Sequence, residues 1–423
     1  MPVSAFVLAD SNAFYASCEM VFRPDIRNRA VIILGNNDGC VIARNRLAKT
    51  IAKIPMGAPL HQIQHLIRKH QVVVCSANFP LYGDMSRRVM DVLSTFTHEA
   101  GLEYYSVDEA FIDISATPKA ERVRYAEEMR ATVRQHTGIV LSIGVGASKT
   151  IAKLASDQSK ELPNGVLALQ NEADLDQLLA TLQVDDIWGI GAQRGNLCRQ
   201  HYINTALEYK RADSRWIKKH LSVTGLRTQL ELRGVSCMPL ESVREAKKQI
   251  CCARAFGHPV TDLSAIREAL AVYVTRAGER LRAQHSLATS LTVFVSTNPF
   301  REDQPQYTKS CTLSLPRATN ITSEMIDAAH HALTRIYRPN VAYHRAGIAL
   351  AGLTDDSFIQ PNLFTEIDER EERLQAIIDA INRKFGRDTI RSAATGIEQV
   401  WQMKQHQQSP HFTTDWQGLP RVR

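Results

Sequence analysis

Leu102-Glu-Tyr-Tyr-Ser-Val-Asp-Glu-Ala-Phe-Ile-Asp-Ile-Ser115 is the stretch on which the fold turns. Two β-rich runs, Leu102 to Val107 and Ala110 to Ile114, are separated only by Asp108-Glu109, the pattern of a hairpin with carboxylates at its tip. Upstream, Met85, Val89, Val92, Leu93 and Phe96 recur at helical spacing, so Leu81 to Phe96 is expected to be an amphipathic helix. Earlier still, the apolar run Ala5 to Ala9 reads as a buried strand ending abruptly at Asp10, after which Asn12-Ala-Phe-Tyr15 turns the chain into a short helix. Downstream, Ala120 to His136 is a second helix and Ile139 to Gly146 a last strand. Pro24 to Asn78 reads as an inserted subdomain, with a strand (Ala30 to Leu34), a helix (Val41 to Ala52) and a further apolar run (Val72 to Cys75). With it set aside, the order is β-α-β-β-α-β, the split-βαβ, ferredoxin-like plan. In that plan the end of strand one and the tip joining strands two and three share one sheet edge. Asp10, Asp108 and Glu109 are therefore expected to converge.

Beyond Ser148-Lys149, the run Val184-Asp-Asp-Ile-Trp-Gly-Ile-Gly191 leads into helix-like segments rich in Lys and Arg, through Arg233. A small helical domain is expected there. From Lys248 the strand and helix patterns again follow the βαββαβ order, ending in a strand from Arg345 to Leu353. The remainder carries Asp355-Asp356, then Gln360-Pro-Asn-Leu-Phe364, then a charged amphipathic helix from Ile367 to Phe385. The fold class is α+β and multi-domain.

Composition narrows the partners. Of 423 residues, 51 are Lys or Arg and 44 Asp or Glu, a formal net charge of +7. Val243 to Gly352 alone holds 14 Lys and Arg against 8 Asp and Glu, so nearly all the excess lies in one segment, as a grip on a polyanion requires. The eight cysteines are scattered without a C-x-x-C pair, which spells out neither a zinc site nor a disulfide framework. The apolar run at the amino terminus is too short for a signal peptide, and no apolar stretch approaches the ~20 residues of a membrane span. A soluble, cytoplasmic protein with no membrane partner is expected.

Three carboxylates at one sheet edge repel one another and raise each other's pKa unless cations compensate. Hard oxygen ligands favour Mg2+, and two such ions about 3.5 to 4 Å apart activate an attacking hydroxyl and stabilise a leaving phosphate oxygen. Phosphoryl transfer is the reaction class this implies. A single Asp at a strand end is more often a turn former than a catalyst, and only the convergence of three reverses that preference.

Asp10-Ser-Asn-Ala-Phe-Tyr-Ala-Ser-Cys-Glu19 together with Tyr105-Ser-Val-Asp-Glu-Ala-Phe111 resembles the paired active-site motifs of the Y-family translesion DNA polymerases. Asn36-Asn-Asp-Gly-Cys-Val-Ile-Ala-Arg-Asn45, Val184 to Gly191 and Trp401-Gln-Met-Lys404 extend the resemblance to the bacterial UmuC subgroup, over essentially the whole chain. The resemblance implies a right-hand polymerase: palm in 1–23 and 79–170, fingers in 24–78, helical thumb in 171–242, little finger in 243–353, and a C-terminal tail in 354–423. The two βαββαβ units would be palm and little finger.

Carried over residue by residue, the resemblance has Asp10 and Asp108 bridging two Mg2+ ions, the carbonyl of Ser11 adding a ligand, and Glu109 completing the primer-side site. Tyr15 matches the steric gate, whose ring would collide with the 2'-hydroxyl of a ribonucleotide. Lys153 and Asn45 match contacts to the dNTP. Arg46 stands where many of the family have Tyr, and Lys49 where they have Arg. Ile187-Trp-Gly-Ile-Gly191 is similar to the hairpin of a helix-hairpin-helix, in which backbone N–H groups around Gly189 and Gly191 would grip DNA phosphate without reading sequence. Gln360, Leu363 and Phe364 are identified as a peptide for the bacterial sliding clamp. The subgroup further implies primer-template DNA, a UmuD-type accessory dimer and a RecA filament as partners, within an error-prone SOS response lacking proofreading.

Two other readings remain open on sequence. A nucleotidyl cyclase shares the palm plan and the metal acids but needs no DNA grip. A non-catalytic DNA-binding scaffold descended from a polymerase would not need all three carboxylates.

Overall fold

Strand β1 (Phe6–Ser11) is buried at every position, as a strand must be when both faces of its sheet are covered. Alternation sends Val7 and Ala9 into one core and Phe6 and Leu8 into another, where they meet Phe111 and Ala152. Asp10 follows on the Phe6–Leu8 face. The computed structural model describes residues 4–97, 101–242, 245–357 and 369–419. They fall into two compact units, one comprising Met1–Gly35, Cys40–Arg244 and Gln407–Arg423, the other Asn36–Gly39 and Glu245–His406.

In the first unit β1 is followed by α1 (Phe14–Phe22), β2 (Val31–Leu34), β3 (Val41–Arg44), α2 (Arg46–Thr50), α3 (Gln64–His70), β4 (Val73–Ser76) and α4 (Phe79–Ser94). Then come β5 (Leu102–Tyr104), β6 (Glu109–Asp113), α5 (Arg122–Thr137), β7 (Leu141–Gly146), α6 (Lys149–Ser159) and β8 (Val166–Leu169). The main sheet has the order β5-β6-β1-β7-β8. Its first four members are the antiparallel arrangement expected of the split-βαβ plan, with β1 between β6 and β7. The fifth, β8, pairs parallel to β7 after the crossover through α6 and was not anticipated from the short run Val166–Leu169. On one face lie the amphipathic α4 and α5, burying Met85, Val89, Met129 and Val133. On the other lies α6, held very close: a Cβ at Gly144 would stand 2.1 Å from the carbonyl oxygen of Ala152 and from the backbone nitrogen of Ser156. Only glycine lets α6 sit low enough to bring its lysines to the sheet edge.

The inserted subdomain corrects one expectation. Val41 to Ala52 is not one helix: Val41–Arg44 pairs antiparallel with β2, and the helix starts only after Asn45, whose Oδ1 caps it by accepting from Ala48 N. The β-branched Val41-Ile42 and an intervening N-cap residue override helical spacing.

Four helices close the unit: α7 (Glu172–Thr181), α8 (Ala192–Gln200), α9 (Ala206–Arg211) and α10 (Ser214–Leu232). The segment after them is tied back by buried charge. Lys149 at the start of α6 forms an ion pair with Glu103 on β5, and both side chains are almost wholly buried. Lys149 also donates to the Pro239 carbonyl at 2.6 Å, and Glu103 accepts from Glu241 N at 2.8 Å. Lys149→Met should therefore destabilise the protein by about 3 to 5 kcal/mol, because it strands a buried carboxylate, and replacing Glu103 by Leu as well should recover part of that loss. Melting curves of the single and double variants check this.

The second unit contains β9 (Ile250–Val260), α11 (Leu263–Ala283), β10 (Ser286–Ser296), β11 (Thr308–Thr319), α12 (Thr322–Ile336), β12 (Tyr343–Asp355) and α13 (Glu369–Phe385). The βαββαβ element order is as expected, but the sheet order is β11-β10-β12-β9, with the first strand at an edge and the last in the interior. The residues after α13 are not a free tail. Trp401 is 5% exposed within the second unit's core, and Phe412 is buried in the first unit's. All eight cysteines are free thiols. Among the described residues, no helix is long and apolar enough to cross a membrane.

Candidate active site

The sheet register makes the three acids neighbours along the backbone. Asp10 lies directly opposite Glu109, and Ser11 N donates to the Asp108 carbonyl at 2.8 Å. Glu109 is the first residue of β6 and Asp108 the last of the turn, so the pair straddles the strand end rather than sharing a tip. Ser106 shapes that turn: its Oγ accepts from the backbone N–H groups of Asp108 and Glu109 at 3.2 and 3.1 Å and donates to the Asp108 carboxylate.

Two lysines from α6 and its C-terminus meet this edge. Lys153 Nζ is 2.5 Å from Glu109 Oε1, and Lys160 Nζ is 2.8 Å from Asp10 Oδ2 and 2.9 Å from Asp157. Burial, opposed by Lys153 and reinforced by the charges of Asp10 and Asp108, lifts the Glu109 carboxyl above the usual range. Burial would depress Lys160, but the charge and hydrogen bond of Asp10 outweigh it and hold the ammonium firmly protonated. Lys160 was missed on sequence; the available signal was its spacing of seven from Lys153, two turns along one helix.

Asp10, Ser11, Asp108 and Lys160 line one wall of a cleft of about 710 Å³, which Tyr15, Asn45, Arg46 and Lys49 also line. The Tyr15 ring stacks on Tyr82 at 4.6 Å and 17°, with Phe79 edge-on at 6.0 Å. Burial, then the charge of Asp108, raises the Tyr15 hydroxyl pKa, so the phenol stays neutral. Arg46 is largely exposed, 3.9 Å from Glu161. Asn45, at the cleft, also has a structural role. Its Oδ1 accepts from Val31 N and Ala48 N, and its Nδ2 donates to the Arg29 carbonyl at 2.7 Å and to Met20 Sδ at 3.6 Å. Its carboxamide is thus committed to holding α2 against β2, a structural role that spacing alone did not reveal.

The donor set fits hard divalent cations: carboxylate oxygens on adjoining strands, with ammonium groups already balancing two of them. Among the described residues no three acid, His or Cys side chains close around a single point, because Asp10 and Glu109 each turn to a lysine. Away from this site, Gly189 adopts a positive φ of 89° and is exposed with Gly191, while Ile187 and Ile190 are buried beneath them. That is a turn presenting backbone to solvent immediately before α8. Gln360, Leu363 and Phe364 lie outside the described residues.

The fold has solved counterparts. A Y-family DNA polymerase chimera of Dbh and Dpo4 superposes with a TM-score of 0.67 at 19% identity, covering 83% of this chain and 99% of its own. A model of the impB/mucB/samB family matches residues 9–157, one of that family's C-terminal domain matches 247–363, and a domain of unknown function, DUF4113, matches 372–422. Protein ImpB of Salmonella typhimurium is 39% identical over 99% of both chains, and Protein UmuC of the same species is 38% identical over 99% of this chain and 100% of its own. DNA polymerase IV 1 of Bacillus subtilis is 25% identical over 91% of this chain and 92% of its own. The architecture is therefore that of a Y-family DNA polymerase. The chain belongs to the impB/mucB/samB family and is of the UmuC type.

Proposed function

We propose that this DNA-directed DNA polymerase extends a primer across damaged template by two-metal phosphoryl transfer, as part of an error-prone SOS response. The observation that carries the reading is the register pairing Asp10 with Glu109 and tying Ser11 to Asp108, at the wall of a cleft that also holds Tyr15. Asp10, Asp108, Glu109 and the Ser11 carbonyl would hold two Mg2+ ions, which activate the primer hydroxyl and stabilise the leaving oxygen when bound. Arg46, Lys49, Lys153 and Lys160 supply the cationic surroundings that neutralise the triphosphate of the dNTP. Tyr15 selects the sugar by excluding a 2'-hydroxyl. Primer extension with Mg2+ and dNTPs separates this reading from a cyclase or a scaffold.

The finer domain division has palm (1–23 and 79–170), fingers (24–78) and thumb (171–242) fall in the first unit apart from Asn36–Gly39 of the fingers, and the little finger (243–353) fall in the second from Glu245 onward. Thumb backbone at Gly189 and Gly191 and the basic segment of the little finger are the two grips on primer-template DNA. Both address phosphate, so binding should be indifferent to sequence and fall steeply with salt, and truncation after about Val243 should weaken it and flatten the salt slope. Equal binding by the truncated chain across a salt series contradicts the little-finger role.

The chain acts with a UmuD-type dimer and a RecA filament, and Gln360, Leu363 and Phe364 recruit the sliding clamp. Changing Leu363 and Phe364 to Ala should abolish stimulation by the clamp while leaving clamp-free synthesis unchanged. A pull-down in which the variant retains full clamp binding removes the motif from the account.

A further inference from the structure

The segment Gln407–Phe412 runs over the first unit and fastens onto the end of β4, the N-cap of α4 and α1. Ser76 N donates to the Gln407 carbonyl at 3.0 Å, and Gln407 N donates to Ser76 Oγ at 2.9 Å. Asn78, the N-cap of α4, donates from Nδ2 to Ser409 Oγ at 2.9 Å and also reaches the Ser409 and Pro410 carbonyls. Phe412 stacks on Phe22 of α1 at 5.0 Å and 16°. The segment is a strap across α1, which carries Tyr15, and α4, which carries Tyr82.

The strap ends on a buried carboxylate. Glu19 has no exposed surface and lies four residues after Tyr15 on α1, on the same helical face. Its Oε1 accepts from Tyr82 Oη at 2.8 Å and from Ser409 Oγ at 3.0 Å, whereas Oε2 has no partner. Because Asn78 Nδ2 is only a donor, the Ser409 hydroxyl accepts from it and must direct its own hydrogen at Glu19. Hydrogen bonds therefore run from the strap through Glu19 to Tyr82, whose ring is the platform under Tyr15.

We propose that Ser409 is a positioning residue for sugar selection: through Glu19 and Tyr82 the strap fixes the height and tilt of the Tyr15 ring in the cleft. This rests on the reading of Tyr15 as the gate. With Ser409 gone, Glu19 keeps a single partner at a fully buried position, where an unsatisfied carboxylate is costly. The carboxylate then shifts toward any donor it can reach and takes the Tyr82 hydroxyl with it. A displaced platform loosens the gate without removing it.

The test measures rNTP and dNTP incorporation opposite one template base by the 423-residue chain, with melting curves alongside, for Tyr15→Ala, Ser409→Ala, Ser409→Thr and the Tyr15→Ala/Ser409→Ala double variant. Ser409→Ala is expected to raise the rNTP-to-dNTP efficiency ratio roughly three- to tenfold, as the loss of one hydrogen bond to a carboxylate allows. Ser409→Thr, which keeps the hydroxyl, should restore the ratio. The double variant should match Tyr15→Ala alone, because the strap acts only through the ring. A raised ratio in Tyr15→Ala with none in Ser409→Ala overturns the strap's role and leaves the gate standing. A proportional fall of both activities in Ser409→Ala, with a lower melting temperature, also overturns it, since that is what a merely structural strap would give. An unchanged ratio in Tyr15→Ala overturns the gate and the strap together.

Discussion

Primer extension by the Asp10→Asn or Asp108→Asn protein is expected to fall about a thousandfold or more, while primer-template binding survives. Asn keeps the shape of Asp but removes the charge that a divalent ion requires, and metal-borne charge stabilisation of several kcal/mol corresponds to a loss of this size. The fold should tolerate the change. Asp10 is at the end of β1, and its partner Lys160 is about a third exposed and keeps Asp157, so losing that ion pair costs little. The proposed grips on DNA, the turn at Gly189 and Gly191 and the basic segment after Val243, use none of the three acids. Binding measured by anisotropy and extension measured on a labelled primer should therefore separate cleanly. Near-normal turnover in either variant contradicts the assignment of the acids.

Tyr15→Ala should raise ribonucleotide incorporation by roughly ten- to a hundredfold while changing deoxynucleotide incorporation far less, a range typical of sites that discriminate by shape. The ring lines the cleft five residues after Asp10, where it would reach the sugar of a dNTP whose phosphates the proposed site holds at that same edge. Removing it opens space for a 2'-hydroxyl and takes away no metal ligand. A Tyr that merely packed a core would behave differently, costing about 3 to 5 kcal/mol on truncation and lowering both activities together. Tyr15 is only part-buried, and its main contact is the stack on Tyr82, so a loss nearer 0.5 to 1.5 kcal/mol is expected. An unchanged sugar ratio excludes Tyr15 as the gate.

Much of the catalytic framework is legible in the amino-acid sequence alone. Local patterns yield both βαββαβ orders, since the unbroken apolar run Ala5–Ala9 and the 3.6-residue spacing in Leu81–Phe96 are strong local signals. They could not give the strand order of the second sheet, because the same strand pattern serves an edge strand such as β9 and an interior one such as β12. The helix expected over Val41–Ala52 failed for a local reason, with Asn45 acting as a cap between a strand and a short helix. Asn45 lines the cleft as its motif implies, and its further bonds to Val31, Ala48 and Arg29 are tertiary contacts that a sequence motif does not record. Lys160 escaped because an isolated lysine at a helix end resembles a solvated charge until the helix is seated on a glycine. The docking of Trp401 and Phe412 escaped because short irregular segments have no period; burial of single aromatics is decided by tertiary packing alone.

The most direct test is single-nucleotide primer extension by the 423-residue chain, with the proposed UmuD-type dimer and RecA filament supplied. Each dNTP is offered singly against each of the four template bases, in Mg2+ and after chelation. The account predicts incorporation that follows the template base and stops when the metal is removed, with the Asp108→Asn protein inactive under the same conditions. Extension that ignores the template, persists in chelator, or survives in the Asp108→Asn protein would contradict it.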